Sequence, residues 1–171
     1  MENLKKVLEN WIKPAKRLAI LGIGSDLRGD DGAGMLVAEK LEKSLKKIKA
    51  SPEVRVFLGA TAPENLTGEI KRFKPTHLIV IDTVEIKERP GTIILLTPDL
   101  VGGGVSFSTH AMPARIIIDY FTNFFKCSTV IIGIQPGSIK FGKAPSAAVK
   151  EAAGEVAAAV AYSIRKTKVK S

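Results

Sequence analysis

Hydrophobic and polar positions along this chain follow two periods, one typical of short buried strands and one typical of amphipathic helices. Compact apolar runs predict strands, and apolar residues recurring every three or four positions predict helices. The predicted strands cover residues 17–23, 54–58, 77–83, 92–97 and 129–134. The predicted helices cover residues 4–12, 34–50, 63–73, 112–125 and 145–165.

This order of elements predicts an α/β fold. Apolar strands that alternate with amphipathic helices are typical of a mostly parallel sheet with helices on both faces, so we expect a three-layer sandwich. We expect one domain over residues 1–171, with a helical extension at residues 1–16 and a frayed basic tail at residues 166–171. The extension could bind a partner or a membrane surface, but burial of Trp11 against its own domain is the simpler interpretation. Residues 98–110, rich in glycine and serine, predict a flexible stretch.

Composition places the chain among ordinary globular proteins of the cytoplasm. Hydrophobic residues make up 45% and charged residues 25% of the 171 positions. No apolar run approaches the roughly 18 residues that cross a bilayer, and the N-terminus lacks the apolar core of a secretory signal, so we expect no membrane partner. The single cysteine, Cys127, cannot form an internal disulfide, which favours a reducing compartment.

The formal net charge of +9 raises the possibility of a nucleic-acid partner. The positive charge is concentrated at residues 5–17, 40–49 and 165–170. No aromatic residues interleave with these clusters as a base-stacking surface requires. We therefore expect solvated helix faces and no nucleic-acid partner.

Candidate catalytic residues lie directly after the predicted strands. In an open α/β sheet, ligands bind at the carboxyl ends of the strands. Asp30 and Asp31 follow the first strand, Asp82 ends the third, and His110 follows the fourth. Two carboxylates and an imidazole at one edge could hold a divalent metal or perform acid–base chemistry on a water molecule.

Each of these residues also has a structural interpretation. One aspartate of the adjacent pair could cap the following helix while the other faces the crevice. A dinucleotide site in this glycine-rich segment is a poor fit, because the spacing Gly22-x-Gly24-x-x-x-x-Gly29 departs from the fingerprint and the second strand lacks a terminal acid.

The ordered series of segments resembles the nickel–iron hydrogenase maturation endopeptidases. The segments that carry the resemblance are LGIGSDLRGDDGAG (21–34), GATAP (59–63), HLIVID (77–82), PGTIIL (90–95), STHAMP (108–113) and GIQPGSIKFG (133–142). Together they span roughly residues 17–165. The asparagine usual after the first G-x-G is Ser25 in this chain.

The resemblance implies a twisted, mostly parallel sheet and an endopeptidase activity. Members of the family remove a C-terminal extension from the precursor of the hydrogenase large subunit once nickel has been inserted. The matching positions imply that Asp31 and Asp82 are catalytic and that Asp31, Asp82 and His110 contact nickel. The nickel would be presented by the substrate and not permanently bound.

The residues leave the attacking group open. Neither Cys127 nor Ser108 makes a convincing nucleophile, so we expect a water molecule, activated either by the two carboxylates or by nickel. A non-catalytic chaperone that binds the nickel-loaded subunit needs the same residues and is the main alternative.

Overall fold

A computed structural model of the protein describes residues 2–46, 52–97, 106–107 and 114–167. The strands are β1 (Arg17–Ile23), β2 (Glu53–Ala60), β3 (His77–Glu85), β4 (Ile93–Leu96), β5 (Ser106–Phe107) and β6 (Ser128–Ile134). The helices are α1 (Glu2–Ile12), α2 (Ala33–Leu45), α3 (Thr67–Phe73), α4 (Ala114–Phe125) and α5 (Ala147–Lys166). Most of the predicted flexible stretch, the C-terminal end of the second predicted helix and most of the basic tail lie outside the described residues.

The main sheet has the strand order β2-β1-β3-β6-β4. The first four strands of this order are parallel, and β4 runs antiparallel to β6 at the edge. The two-residue strand β5, which the sequence did not predict, pairs with the end of β3. The predicted mostly parallel α/β sandwich is confirmed.

Hydrophobic side chains pack on both faces of the sheet. On one face, Ile20 and Ile79 belong to a cluster with residues of α1, α2 and α5. On the other face, Leu21 and Val80 belong to a cluster with residues of α3 and α4. Successive residues of a strand point to opposite faces, so a strand buried on both sides must be apolar throughout. This requirement explains the continuous apolar runs in the sequence.

The N-terminal helix α1 packs across the domain. Its Leu8 and Ile12 are fully buried in the cluster that contains α5, and the hydroxyl of Ser163 donates a hydrogen bond of 3.2 Å to the carbonyl of Lys5. Trp11 is half-buried and meets His77 edge-on, with ring centroids 4.8 Å apart. None of the described helices combines the length and apolarity that spanning a membrane requires.

Helix α2 begins in direct contact with the carboxyl edge of the sheet. A Cβ atom at Gly34, in its first turn, would collide with the carbonyl oxygens of Ile23 and Ile81. Only glycine permits this approach of a helix to the ends of β1 and β3. The close contact places the turn before the helix, with its two aspartates, beside the end of β3.

Candidate active site

The hydroxyl group of Thr83 lies between the carboxylates of Asp31 and Asp82. Its oxygen is 3.3 Å from Oδ1 of Asp31 and 3.4 Å from Oδ1 of Asp82. Asp31 reaches this place from the turn before α2, and Asp82 from the end of β3. Both carboxyl residues are almost inaccessible, with exposed fractions of 1% and 2%. The structure therefore brings together the two predicted catalytic residues.

The turn after β1 fixes Asp31. The backbone N–H of Ser25 donates to Oδ2 of Asp31 over 3.1 Å. Gly24 has a φ of +133°, and a Cβ atom there would collide with the carbonyl oxygen of Asp31. The contact with Asp31 uses only the backbone N–H of Ser25. The presence of serine where the family usually has asparagine therefore leaves this hydrogen bond unchanged.

Asp82 occupies a site that disfavours its charge. Burial, together with the nearby charge of Asp31, raises the pKa of Asp82 to about 8. The backbone N–H of Thr83, 2.7 Å from Oδ1, and the Thr83 hydroxyl oppose this effect without cancelling it. A proton is therefore retained on Asp82 at pH 7, as expected for two close carboxylates.

Asp30 has a different structural role from its neighbour. Its Oδ2 accepts hydrogen bonds from the N–H groups of Gly137 and Ser138, at 2.7 and 3.0 Å, and its Oδ1 accepts one of 2.6 Å from Ser146. Burial by itself would raise the pKa of Asp30, but these backbone donors hold it below the ordinary value. The carboxylate is thus satisfied by the segment between β6 and α5.

The expectation that one of the two aspartates caps the following helix is wrong. No side chain caps the 3₁₀ turn at Gly29–Gly32 or the start of α2. Asp30 instead binds Ser146, the residue that precedes α5 and whose own side chain caps that helix. The partly buried N–H groups of a distant loop need an acceptor, and Asp30 supplies it.

The predicted third residue of the site, His110, lies outside the described residues, as does Ser108. Within the part of the chain that the structure describes, no group of three or more histidine, cysteine, aspartate or glutamate side chains is arranged to hold a metal ion. The contact between His110 and the two carboxylates therefore stays a prediction.

Cys127 is remote from the carboxylates. It precedes β6, at the amino edge of the parallel strands, whereas Asp82 lies at the carboxyl edge. The thiol is buried, and that burial raises its pKa, which lowers the fraction of reactive thiolate. Both observations exclude Cys127 as a partner of Asp31 and Asp82.

Two residues near the site were missed by sequence reasoning. Thr83 looked like one more strand residue, although its position after an apolar strand and an aspartate was a usable signal. Gln135, directly after β6, is 4% exposed. Its Oε1 accepts from the N–H of Ile86 at 2.8 Å, and its Nε2 donates to Glu85 at 3.2 Å. It thereby fixes the loop that leaves β3.

Comparison with known proteins identifies the family. The family model for HycI, described as hydrogenase maturation protease, matches residues 35–164. The hydrogenase 3 maturation protease of Escherichia coli K12 is 32% identical over 135 residues, which cover 78% of this chain and 81% of that protein. The chain belongs to the hydrogenase maturation protease family.

Solved structures of relatives have the same fold. The crystal structure of the [NiFe] hydrogenase maturation protease HycI from Thermococcus kodakarensis matches with a TM-score of 0.77 and 33% identity, covering 93% of this chain and 99% of that one. The solution structure of the endopeptidase HycI from Escherichia coli matches with a TM-score of 0.69 and 30% identity, covering 83% and 87%. The predicted hydrogenase maturation endopeptidase, a hydrolase, is confirmed, and the chaperone alternative is not favoured.

Proposed function

We propose that this hydrogenase maturation protease removes the C-terminal extension of a hydrogenase large-subunit precursor after nickel insertion, and that Asp31 and Asp82 carry the reaction. The observation that supports this assignment is the Thr83 hydroxyl, which lies 3.3 and 3.4 Å from the two carboxylates. Burying two carboxyl groups beside one hydroxyl costs free energy and adds no apolar contacts. A functional role accounts for this cost better than a role in packing.

The nickel of the precursor is a substrate component that these oxygens suit. Carboxylate oxygens and an imidazole nitrogen are ligands that divalent first-row metals accept. We propose that Asp31, Asp82 and His110 contact the nickel that the precursor presents. A cation there would relieve the repulsion between the carboxylates, which links the ionised state of both groups to arrival of the correct substrate.

The same pair can activate the water that attacks the scissile bond. An ionised carboxylate accepts the proton of the water, and a general base of this kind typically contributes about 10²- to 10⁴-fold. Alternatively, nickel polarises the scissile carbonyl while the carboxylates hold the metal.

Intact-mass spectrometry of the nickel-loaded precursor tests this proposal. The wild-type chain should release a C-terminal peptide, and a nickel-free precursor should keep its full mass. Asp31→Asn and Asp82→Asn should slow release at least about a hundredfold, because each removes a carboxylate that the reaction uses. His110→Ala should slow it as well.

Matched controls come from the same chain. Glu39→Gln changes an exposed carboxylate on α2, eight residues after Asp31, and should leave the rate unchanged. His77→Phe replaces the other histidine, which packs on Trp11 at the opposite edge of the sheet, and keeps an aromatic ring there. Release from the nickel-free precursor would refute the nickel requirement. An unchanged mass with a stable complex would favour the chaperone.

A further inference from the structure

The two most exposed large hydrophobic side chains of the described residues lie on adjoining loops. Phe141 is 76% exposed and Leu27 is 59% exposed. Leu27 lies in the turn between β1 and α2, and Phe141 in the segment between β6 and α5. We call residues 26–28 and 139–143 the rim. Single exposed apolar residues are common, but the two most exposed lying on neighbouring loops is a specific arrangement.

Hydrogen bonds join the two loops of the rim. The N–H of Gly142 donates to the carbonyl of Leu27 over 2.8 Å, and the N–H of Gly29 donates to the carbonyl of Lys143 over 2.9 Å. The side chain of Arg28 also donates from Nε to the carbonyl of Ile139, at 3.4 Å. The apolar side chains are therefore held outward on a bonded framework, in contrast to a loop whose exposure results from few contacts.

The rim adjoins the candidate catalytic residues. Leu27 lies four residues before Asp31 in the turn whose Ser25 N–H binds the Asp31 carboxylate. Asp30 lies between Leu27 and Asp31 in the sequence, and its carboxylate accepts hydrogen bonds from the N–H groups of Gly137 and Ser138. Those two residues directly precede the second rim loop. The rim therefore lies close to Asp31, within reach of a chain whose scissile bond lies at Asp31 and Asp82.

The charges of the rim define what it can bind. Arg28, Lys140 and Lys143 are exposed, and Asp26 is the only carboxylate among the rim residues. An apolar surface with excess positive charge is complementary to a segment that carries apolar and acidic side chains.

We infer that the rim is the docking surface for the part of the large-subunit precursor that flanks the cleaved bond, a segment with apolar and acidic side chains. Leu27 and Phe141 contact its apolar side chains, and the three cations attract its carboxylates. This inference rests on the proposed function, since it takes the precursor as substrate and Asp31 and Asp82 as the site of cleavage.

Steady-state cleavage of the nickel-loaded precursor by a Leu27→Ser/Phe141→Ser variant tests the inference. KM should rise about tenfold or more while kcat stays within about twofold, because burying one such side chain accounts for at least a tenfold change in affinity. Phe141→Ser alone should give a smaller rise in KM. The KM of the wild-type protein should also increase with salt concentration, as charge attraction requires.

The control variant is Tyr162→Ser, which removes a 41% exposed aromatic residue on α5, outside the rim. Its KM should equal that of the wild type. An unchanged KM in the double variant, or an equal rise in the control, would overturn the inference. Absence of cleavage by the wild-type chain would instead refute the proposed function, so the two failures are distinguishable.

Discussion

Asp30 and Asp31 are adjacent in the chain and equally buried, at 1% exposure each, yet their surroundings differ. Three backbone N–H groups point at the carboxylate of Asp30. Asp31 faces a second carboxylate, Asp82, across a hydroxyl group that can donate to only one of them at a time. Burial alone therefore says little about what a buried acid does.

The surroundings of Asp30 and of the Asp31–Asp82 pair also shift carboxyl pKa values in opposite directions. Donors that bind the charged form hold the pKa of Asp30 below its ordinary value, although burial acts in the opposite direction. At Asp82, burial and the charge of Asp31 act together and raise the pKa to about 8. A carboxylate whose charge is stabilised can join loops, as Asp30 does, whereas the ionised form of a buried acid with a raised pKa is favoured only when a positive charge lies nearby.

Among the substitutions compared at one pH, removing the carboxylate of Asp30 should have the largest effect on stability. Asp30→Ala leaves three partly buried N–H groups without their acceptor, and each such loss costs about 1 kcal/mol or more. We expect unfolding free energy to fall by about 3 kcal/mol or more, and Tm to fall by roughly 6–12 °C. Thermal unfolding followed by circular dichroism measures this, with Asp26→Ala as the exposed control. A change in Tm no larger than in the control would contradict a structural role.

Asp82 should make stability fall as pH rises. Its folded-state pKa of about 8 exceeds the ordinary value of 3.8. At a pH between these two values the folded protein keeps a proton that the unfolded chain has already released. Stability should decrease by about 1.4 kcal/mol per pH unit around pH 6 and level off above pH 8.

Urea unfolding of the wild type and of Asp82→Asn between pH 5 and 8.5 tests this sign. Burial lowers the pKa of His77, so in both proteins this histidine makes stability rise with pH below pH 6.5. Subtracting one stability curve from the other removes that shared trend and leaves the contribution of Asp82. Asp82→Asn should lack the decline. Parallel curves would show that Asp82 titrates in its ordinary range.

Loss of the Thr83 hydroxyl should produce the smallest of these effects. Thr83→Val removes a donor shared by the two carboxylates at nearly constant volume, so we expect a loss of about 1 kcal/mol. Because this hydroxyl lowers the pKa of Asp82, the pH range over which stability declines should extend upward. Thr83→Ser should restore the wild-type profile, and a valine variant with an unshifted profile would exclude the hydroxyl from the pair.

The sequence predicted the layers of the fold more completely than the details of the site. Continuous apolar strands and striped helices led to the sandwich, because burial on two faces leaves few alternatives. The extra strand β5 was missed, since two residues carry no periodic pattern. The strand-end rule placed Asp31 and Asp82 at one edge, but the position of Thr83 directly after Asp82 did not by itself show that its hydroxyl would lie between the two carboxylates.

The partner of Asp30 was likewise invisible in the chain, because Gly137 and Ser146 are more than a hundred positions away. Local sequence favoured a helix cap, whereas the unsatisfied N–H groups of a remote loop determined the actual contact. The same holds for the hydrogen bonds that join the two rim loops, which carry Leu27 and Phe141.

The amino-acid sequence by itself determined which segments form strands and helices, which faces they bury and which residues end the strands, because these properties follow from local periodicity and turn chemistry. Only the tertiary structure decided which of the neighbouring aspartates binds a distant loop and which lies beside a second carboxyl group. Those outcomes depend on donors and carboxylates that distant segments bring within hydrogen-bonding distance, and an electrostatic environment exists only once the chain has folded.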